Sequence, residues 1–226
     1  MPPWEDLPPT LQTEEVRPYY EALSRRGLQL RLKRLLDVVG ATVLFVLLGW
    51  LFVILALLIK LDSPGPVFFR QRRVTQFGRE FRIVKFRTMT YRPAALGDQI
   101  TRGDDPRITR VGAVLRRYRL DEISQLIDIL RGTMSFVGTR PEVPDYVRQY
   151  TPQMRATLLL PAGVTSTASI EFKDEAQILA AAPPGQDAYV TQVLPAKMRL
   201  NLRDVRDFSI GRDLRIAFRT ILAVAT

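Results

Sequence analysis

Residues 38–59 read VVGATVLFVLLGWLFVILALLI, a run without a single charge. As a helix it would be about 33 Å long, enough to cross a hydrocarbon core. The soluble alternative is a core helix, but a chain of 226 residues has little room to hide one that is apolar all round. The run therefore predicts a membrane helix over residues 29–61. It follows an N-terminal extension, 1–28, and precedes a polar domain, 62–226.

The flanks qualify that reading. Arg25, Arg26, Arg31, Lys33 and Arg34 lie upstream, and the sixty residues downstream are rich in Lys and Arg. A spanning helix normally has one basic side, the cytoplasmic one. Either that rule is overridden here, or the segment enters and leaves on the same face. A re-entrant helix needs a break, and Gly49-Trp50 sits at the middle, where glycine weakens the helix and tryptophan favours an interface.

Around this helix the pattern is α+β. The stretch MPPWEDLPPT is proline-rich and acidic and is expected to be poorly ordered. TEEVRPYYEALSRR reads as a short helix with Thr13 as its N-cap. DSPGP (62–66) is a turn. β-like runs at 67–70 and 81–86, with Gly78 between them, predict a hairpin. Residues 91–106 read as a polar loop. PRITRVGAVLRRYR follows as a basic amphipathic helix with Ile108, Val111, Leu115 and Tyr118 on one face. LDEISQLIDILRG is a further helix, closed by Gly132. Ser209 caps a last one, IGRDLRIAFRTILAV. Basic amphipathic helices often lie in membrane interfaces; the alternative for PRITRVGAVLRRYR is a solvated charged face, and for the last helix a stripe packed in the core. The fold class expected is one re-entrant membrane helix, a small sheet and several interfacial helices.

Composition narrows the chemistry. The chain has no cysteine and no histidine, which excludes disulfides, thiolate catalysis, the usual zinc sites and a histidine base. Net charge is +10, and 28 of the 33 basic residues are arginine. Arginine forks suit phosphates and anionic headgroups. Against that background YRLDEISQL (118–126) stands out, because Asp121 and Glu122 are adjacent acids behind Arg116, Arg117 and Arg119. Acids at a helix start also meet the positive end of the helix dipole, so a simple capping role is the bland alternative. A Gly-punctuated loop, GTMSFVGTRPE, follows with Arg140 in it.

The order of segments is KRLLDVVG entering the apolar run, VKFRTM, RLDEISQLIDILRGTMSFVGTRPE, LLLPAGVT and DFSIGRDLRIAFRTI. It resembles the monotopic phosphoglycosyl transferases, bacterial enzymes that start polysaccharide and glycoconjugate assembly. The resemblance covers roughly residues 30–222. It implies transfer of a phosphosugar from a UDP-sugar to a polyprenyl phosphate such as undecaprenyl phosphate, with release of UMP and a need for Mg²⁺. Asp121 would be the nucleophile and carry the phosphosugar, and Glu122 would share the metal with it. Lys85 and Arg87 of KFRTM, Arg116, Arg140 with Pro141, and Lys173 would bind substrate. The resemblance also implies the cytoplasmic face of the bacterial inner membrane.

Gly49-Trp50 stands where many members have Ser-Pro, and Thr139 where many have proline before the Arg-Pro pair. STASIEFKDEA replaces the familiar glycine-tryptophan stretch, which leaves the sugar open. The competing reading is a non-catalytic membrane-anchored module that binds anionic lipid or nucleic acid. It rests on charge alone, shows no nucleic-acid motif and leaves Asp121-Glu122 unexplained. Oligomeric state is open, a homodimer included.

Overall fold

The apolar run is the middle of one long helix. In the computed structural model of the chain, residues 1–91, 105–173, 175 and 188–225 are described. Most of the polar loop expected at 91–106 lies outside them. Helix α1 (Arg17–Ser24) leads into α2 (Gly27–Asp62), 36 residues and so about 54 Å long. The helix is α-helical at every position, Gly49 and Trp50 included, so the expected break is absent. One glycine costs a helix only about 1 kcal/mol, and leucine-rich turns on both sides carry the helix through it.

Most of α2's apolar surface faces outward. Its most apolar 18-residue window has a mean hydropathy of 3.0 and is only 11% buried, which a soluble core helix would not be. Val39, Val43, Val46, Trp50, Val53 and Leu57 recur every three or four residues and are all exposed. Leu28, Leu32 and Leu35 extend that stripe backward, and Leu61 extends it forward.

Both ends of α2 nevertheless dock on the same body. Near its start, Lys33 Nζ donates to Val137 O at 2.9 Å, and Arg34 Nη1 donates to Ile129 O at 2.6 Å. The Phe136 amide donates to Asp37 Oδ1 at 3.1 Å. Near its end, Leu55 and Ile59 pack with Phe86 and Leu115, and the Phe52 ring meets Phe86 edge-on.

Residues 1–10 correct the expectation of disorder, and the helix expected from Thr13 begins only at Arg17, with Val16 rather than Thr13 at its N-cap. Leu7, Leu11, Val16 and Leu23 are buried against Ala156, Leu159, Leu202, Val205 and Phe208. Prolines shape two 3-10 turns, Trp4–Asp6 and Pro9–Leu11, and the Tyr20 hydroxyl donates to Pro2 O at 2.8 Å. Average composition looks disordered, but the few apolar side chains are spaced to reach one groove.

The hairpin is β1 (Phe68–Val74) with β2 (Glu80–Phe86), antiparallel and turning through Phe77 and Gly78 in left-handed conformations. Thr109 caps α3 (Arg110–Arg117) by accepting from Gly112 N at 3.0 Å. A 3-10 segment, Leu120–Gln125, replaces the first turn of the expected helix and runs into α4 (Leu126–Arg131), which ends at Gly132 as expected.

Then comes β3 (Met134–Val137), a short α5 (Pro144–Val147), and β4 (Ala162–Thr165), which pairs in parallel with β3. A Cβ on Gly163 would overlap the backbone of Gly138, so this approach requires glycine. The chain closes with α6 (Thr167–Glu171), α7 (Leu194–Arg206) and α8 (Ile210–Ala225). Ser209 accepts from Arg212 N at 3.2 Å, the cap expected there. Helix α8 exposes Leu214, Phe218, Ile221 and Leu222, and α3 exposes Val114, with Tyr118 exposed at its C-cap. Exposed apolar side chains on these basic helices favour the interfacial reading over a solvated charged face for α3 and over core packing for α8.

Candidate active site

Strand β2 holds the acid pair in place. Ser124 Oγ donates to Val84 O at 3.0 Å, and the Val84 amide donates to Asp128 Oδ2 at 2.8 Å. These two bonds fix the Leu120–Gln125 turn across the strand, so the residue after Val84 faces the acids. Arg119 enters the turn in a left-handed conformation and swings Asp121 and Glu122 inward.

The two acids have different surroundings. Glu122 is gripped by Lys85 Nζ at 2.8 Å from Oε1, by Arg140 Nη1 at 3.1 Å from Oε2, and by Arg140 Nη2 on Oε1. Burial works against its charge, but Arg140 and Lys85 outweigh that and hold the carboxyl below the usual carboxylate range. Asp121 is 9% exposed, and its carboxylate has no side-chain hydrogen bond or ion pair among the described residues. Burial first, and the Glu122 charge second, push its carboxyl up, while Lys85 and Arg116 oppose the shift. Arg116 Nε donates to Thr88 Oγ1 at 2.9 Å, which aims the side chain from α3 toward Asp121.

The profile of the bacterial sugar transferase family matches residues 28–226. The chain belongs to that family. It is 36% identical over 225 residues to the UDP-glucose:undecaprenyl-phosphate glucose-1-phosphate transferase of Caulobacter vibrioides, covering 98% of this chain and 79% of that one. It is 33% identical over 207 residues to the exopolysaccharide production protein ExoY of Rhizobium meliloti, covering 85% and 84%. It is 34% identical over 198 residues to an N-acetylgalactosaminephosphotransferase of Aeromonas hydrophila, covering 86% of this chain but only 44% of that one.

In this family member, Lys85, Arg116, Arg140, Asp121 and Glu122 converge. Pro141 is buried beside them and accepts from Arg73 Nη1 at 3.1 Å. Arg87 does not join the group, because its guanidinium turns the other way, onto the end of α2. Lys173 is exposed in the turn after α6.

Sequence reading missed Arg73. It also bonds Gln71 Oε1 at 2.7 Å, lies 3.9 Å from Glu142, and is close enough to Arg140 and Glu122 to feel their charge. Strand alternation could have found it. Phe69, Gln71 and Arg73 share a face, and Phe69 is in register with Lys85. Glu142 in turn accepts from the Tyr189 hydroxyl, and Lys197 lies 3.9 Å away while bonding Glu175 at 2.8 Å. This buried network ties the Arg140 segment to α7.

Among the described residues no three metal-type side chains cluster. A magnesium site completed by substrate phosphates needs only one or two carboxylates. Asp121 and Glu122 fit that: they are adjacent hard-oxygen donors, and burial first, with the Glu122 charge second, disfavours the charged Asp121 carboxylate, a cost that a divalent cation relieves.

Proposed function

We propose that this chain transfers a phosphosugar from a UDP-sugar to polyprenyl phosphate, undecaprenyl phosphate in bacteria, through a covalent intermediate on Asp121. The unequal treatment of the two acids carries this reading: Glu122 is clamped by three bonds from cations, whereas Asp121 is buried with no side-chain hydrogen bond or ion pair among the described residues. A purely capping pair would not be divided in this way.

In the first step an Asp121 oxygen attacks the phosphorus that bears the sugar. An O–P bond forms, the bond to the UMP oxygen breaks, and UMP leaves with the electron pair. In the second step a phosphate oxygen of the polyprenyl acceptor attacks the same phosphorus. The aspartyl O–P bond breaks, the carboxylate is restored, and a polyprenyl diphosphate sugar departs. Lys85, Arg116 and Arg140 place fixed positive charge where phosphoryl charge gathers, which is the main demand of such transfers. Mg²⁺ held by Asp121, Glu122 and the donor phosphates would neutralise further charge on the phosphoryl oxygens.

The donor and acceptor classes are supported by the relatives' names. Glucose and N-acetylgalactosamine transferases are about equally similar, 36% and 34% identical, so identity does not select the sugar. The ExoY relative supports a role in starting exopolysaccharide assembly.

The membrane reading completes the proposal. Helix α2 lies in the cytoplasmic face of the inner membrane, with both ends returning to that face. Its exposed stripe runs about 50 Å, well beyond the roughly 30 Å of a hydrocarbon core, and both ends dock on one body.

The test is mass spectrometry of protein incubated with UDP-sugars, one at a time and without acceptor. A phosphosugar adduct should appear on the peptide containing Asp121. Asp121→Asn should abolish both the adduct and Mg²⁺-dependent UMP release. Wild-type UMP release by Asp121→Asn would refute the mechanism.

A further inference from the structure

Arg87 is 4% exposed, and its guanidinium is spent on the end of α2. Nη2 donates to Ile59 O at 3.2 Å, Ser63 O at 2.6 Å and Ser63 Oγ at 3.0 Å, and Nη1 donates to Pro64 O at 2.7 Å. Ile59 O also accepts from Ser63 N at 3.3 Å, and Ser63 and Pro64 follow the helix, so the guanidinium caps the helix end and the turn after it, where the negative end of the dipole suits a buried cation. The turn that follows is shaped around this side chain. Gly65 has a φ of +125°, and a Cβ there would overlap Arg87 Nη1. The Arg87 amide also donates to Val67 O at 2.9 Å.

Arg87 has phosphate-binding residues close on either side. Two residues before it, Lys85 holds Glu122 at 2.8 Å. One residue after it, Thr88 Oγ1 accepts from Arg116 Nε at 2.9 Å. The Thr88 carbonyl also accepts from Thr109 N at 3.1 Å, and Gly112 packs on it so closely that a Cβ would overlap. A second link starts from the last residue of α2. Asp62 Oδ2 accepts from Val111 N at 3.1 Å, in the first turn of the helix that presents Arg116.

We infer that the C-terminal end of α2 positions Lys85 and Arg116, through Arg87 on one side and Asp62 on the other. The inference rests on the reaction proposed above. Arg87 and Asp62 are positioning residues that touch no substrate. The end of the apolar helix and the phosphate site are thereby mechanically one unit.

The test uses full-length protein in lipid nanodiscs, with the UDP-sugar that gives most UMP release. Arg87→Gln, Asp62→Ala and Arg116→Lys are assayed singly, and the first two are each crossed with Arg116→Lys, with thermal midpoints recorded throughout. Arg87→Gln should lower kcat by about 10- to 100-fold, since ångström-scale misplacement has that effect. Asp62→Ala should lower kcat by about 3- to 10-fold with the midpoint little changed, as loss of one hydrogen bond to α3 would. In the Arg116→Lys background the further loss from Asp62→Ala should shrink to within about twofold, because both changes act on one contact.

Equal fold-losses in both backgrounds, or an unchanged kcat for Asp62→Ala, would overturn the positioning link. The Asp62 cycle decides the matter alone if Arg87→Gln does not fold. A wild-type protein that releases no UMP from any donor overturns the proposed reaction, and the link with it. Wild-type activity with additive losses overturns only the link.

Discussion

Arg140 meets Glu122 as a fork, Nη1 at 3.1 Å from Oε2 and Nη2 on Oε1. Lysine keeps the charge but can make only one of these bonds with comparable geometry. Arg140→Lys should therefore lower kcat/KM by about 10- to 100-fold, the scale of a lost charge-assisted contact in an active site. Its thermal midpoint should stay near wild type. A drop as large as that of a core truncation such as Ile129→Ala would make Arg140 a structural residue instead.

The acid limb of the pH–rate profile should report Asp121. Burial, then the Glu122 charge, raises its carboxyl, so activity should fall as pH drops through a value above the ordinary 3.9 or so of aspartate. Glu122→Gln removes the neighbouring charge and frees Lys85 and Arg140 to stabilise Asp121. The acid limb of its residual activity should then move to lower pH. A shift to higher pH would contradict this account of the pair.

Gly163→Ala should damage both fold and site. The added Cβ meets the Gly138 backbone, which cannot yield as a flexible side chain would. Overpacking of this kind costs about 1–3 kcal/mol, and the displaced β3–β4 pair carries Arg140 with it. Thermal melts and UMP release should fall together. A stable, fully active Gly163→Ala would show that the two strands have slack.

Lys33 joins α2 to the last helix through Asp213 Oδ2 at 2.5 Å. Lys33→Met strands a partly buried carboxylate, and leaving such a charge without its partner costs on the order of 1–3 kcal/mol. Burial already raises the Asp213 carboxyl despite Lys33. A raised carboxylate pKa means that stability is gained as pH falls through it. The variant's deficit should therefore be large at pH near 7.5 and shrink toward pH 5, read as the difference in thermal midpoint from wild type. A deficit that widens at low pH would reverse the assignment.

Topology is testable because the chain has no native cysteine. Thr10 and Gln149 are exposed and lie far apart in sequence on opposite sides of α2. Cysteines placed singly at the two positions should both resist a membrane-impermeant maleimide on spheroplasts and both react after lysis. Labelling of Thr10→Cys alone would establish a spanning helix. Gly49→Leu should leave α2 unchanged, since the helix is already continuous there and a side chain meets open space.

Much of this was legible from local pattern. The apolar run, the hairpin around Gly78, the cap at Ser209, the helix end at Gly132 and the adjacency of Asp121 and Glu122 are short-range features. They follow from hydropathy, turn chemistry and spacing within a few residues. The matched motifs were equally readable, since they are strings in the chain.

Tertiary structure alone decided the rest, because each remaining feature joins residues distant in sequence. The parallel pairing of Met134–Val137 with Ala162–Thr165 is one example, and the docking of residues 7–23 into a groove lined by Leu159 and Phe208 is another. Arg87 shows the limit most clearly. It sits in KFRTM two residues from Lys85, yet one side chain turns to Glu122 and the other to the carbonyls of Ile59 and Ser63. Sequence established which charges the chain carries and where its apolar surface lies. Which charge meets which partner depends on long-range packing, because a buried guanidinium goes wherever the fold gathers carbonyl oxygens within its reach.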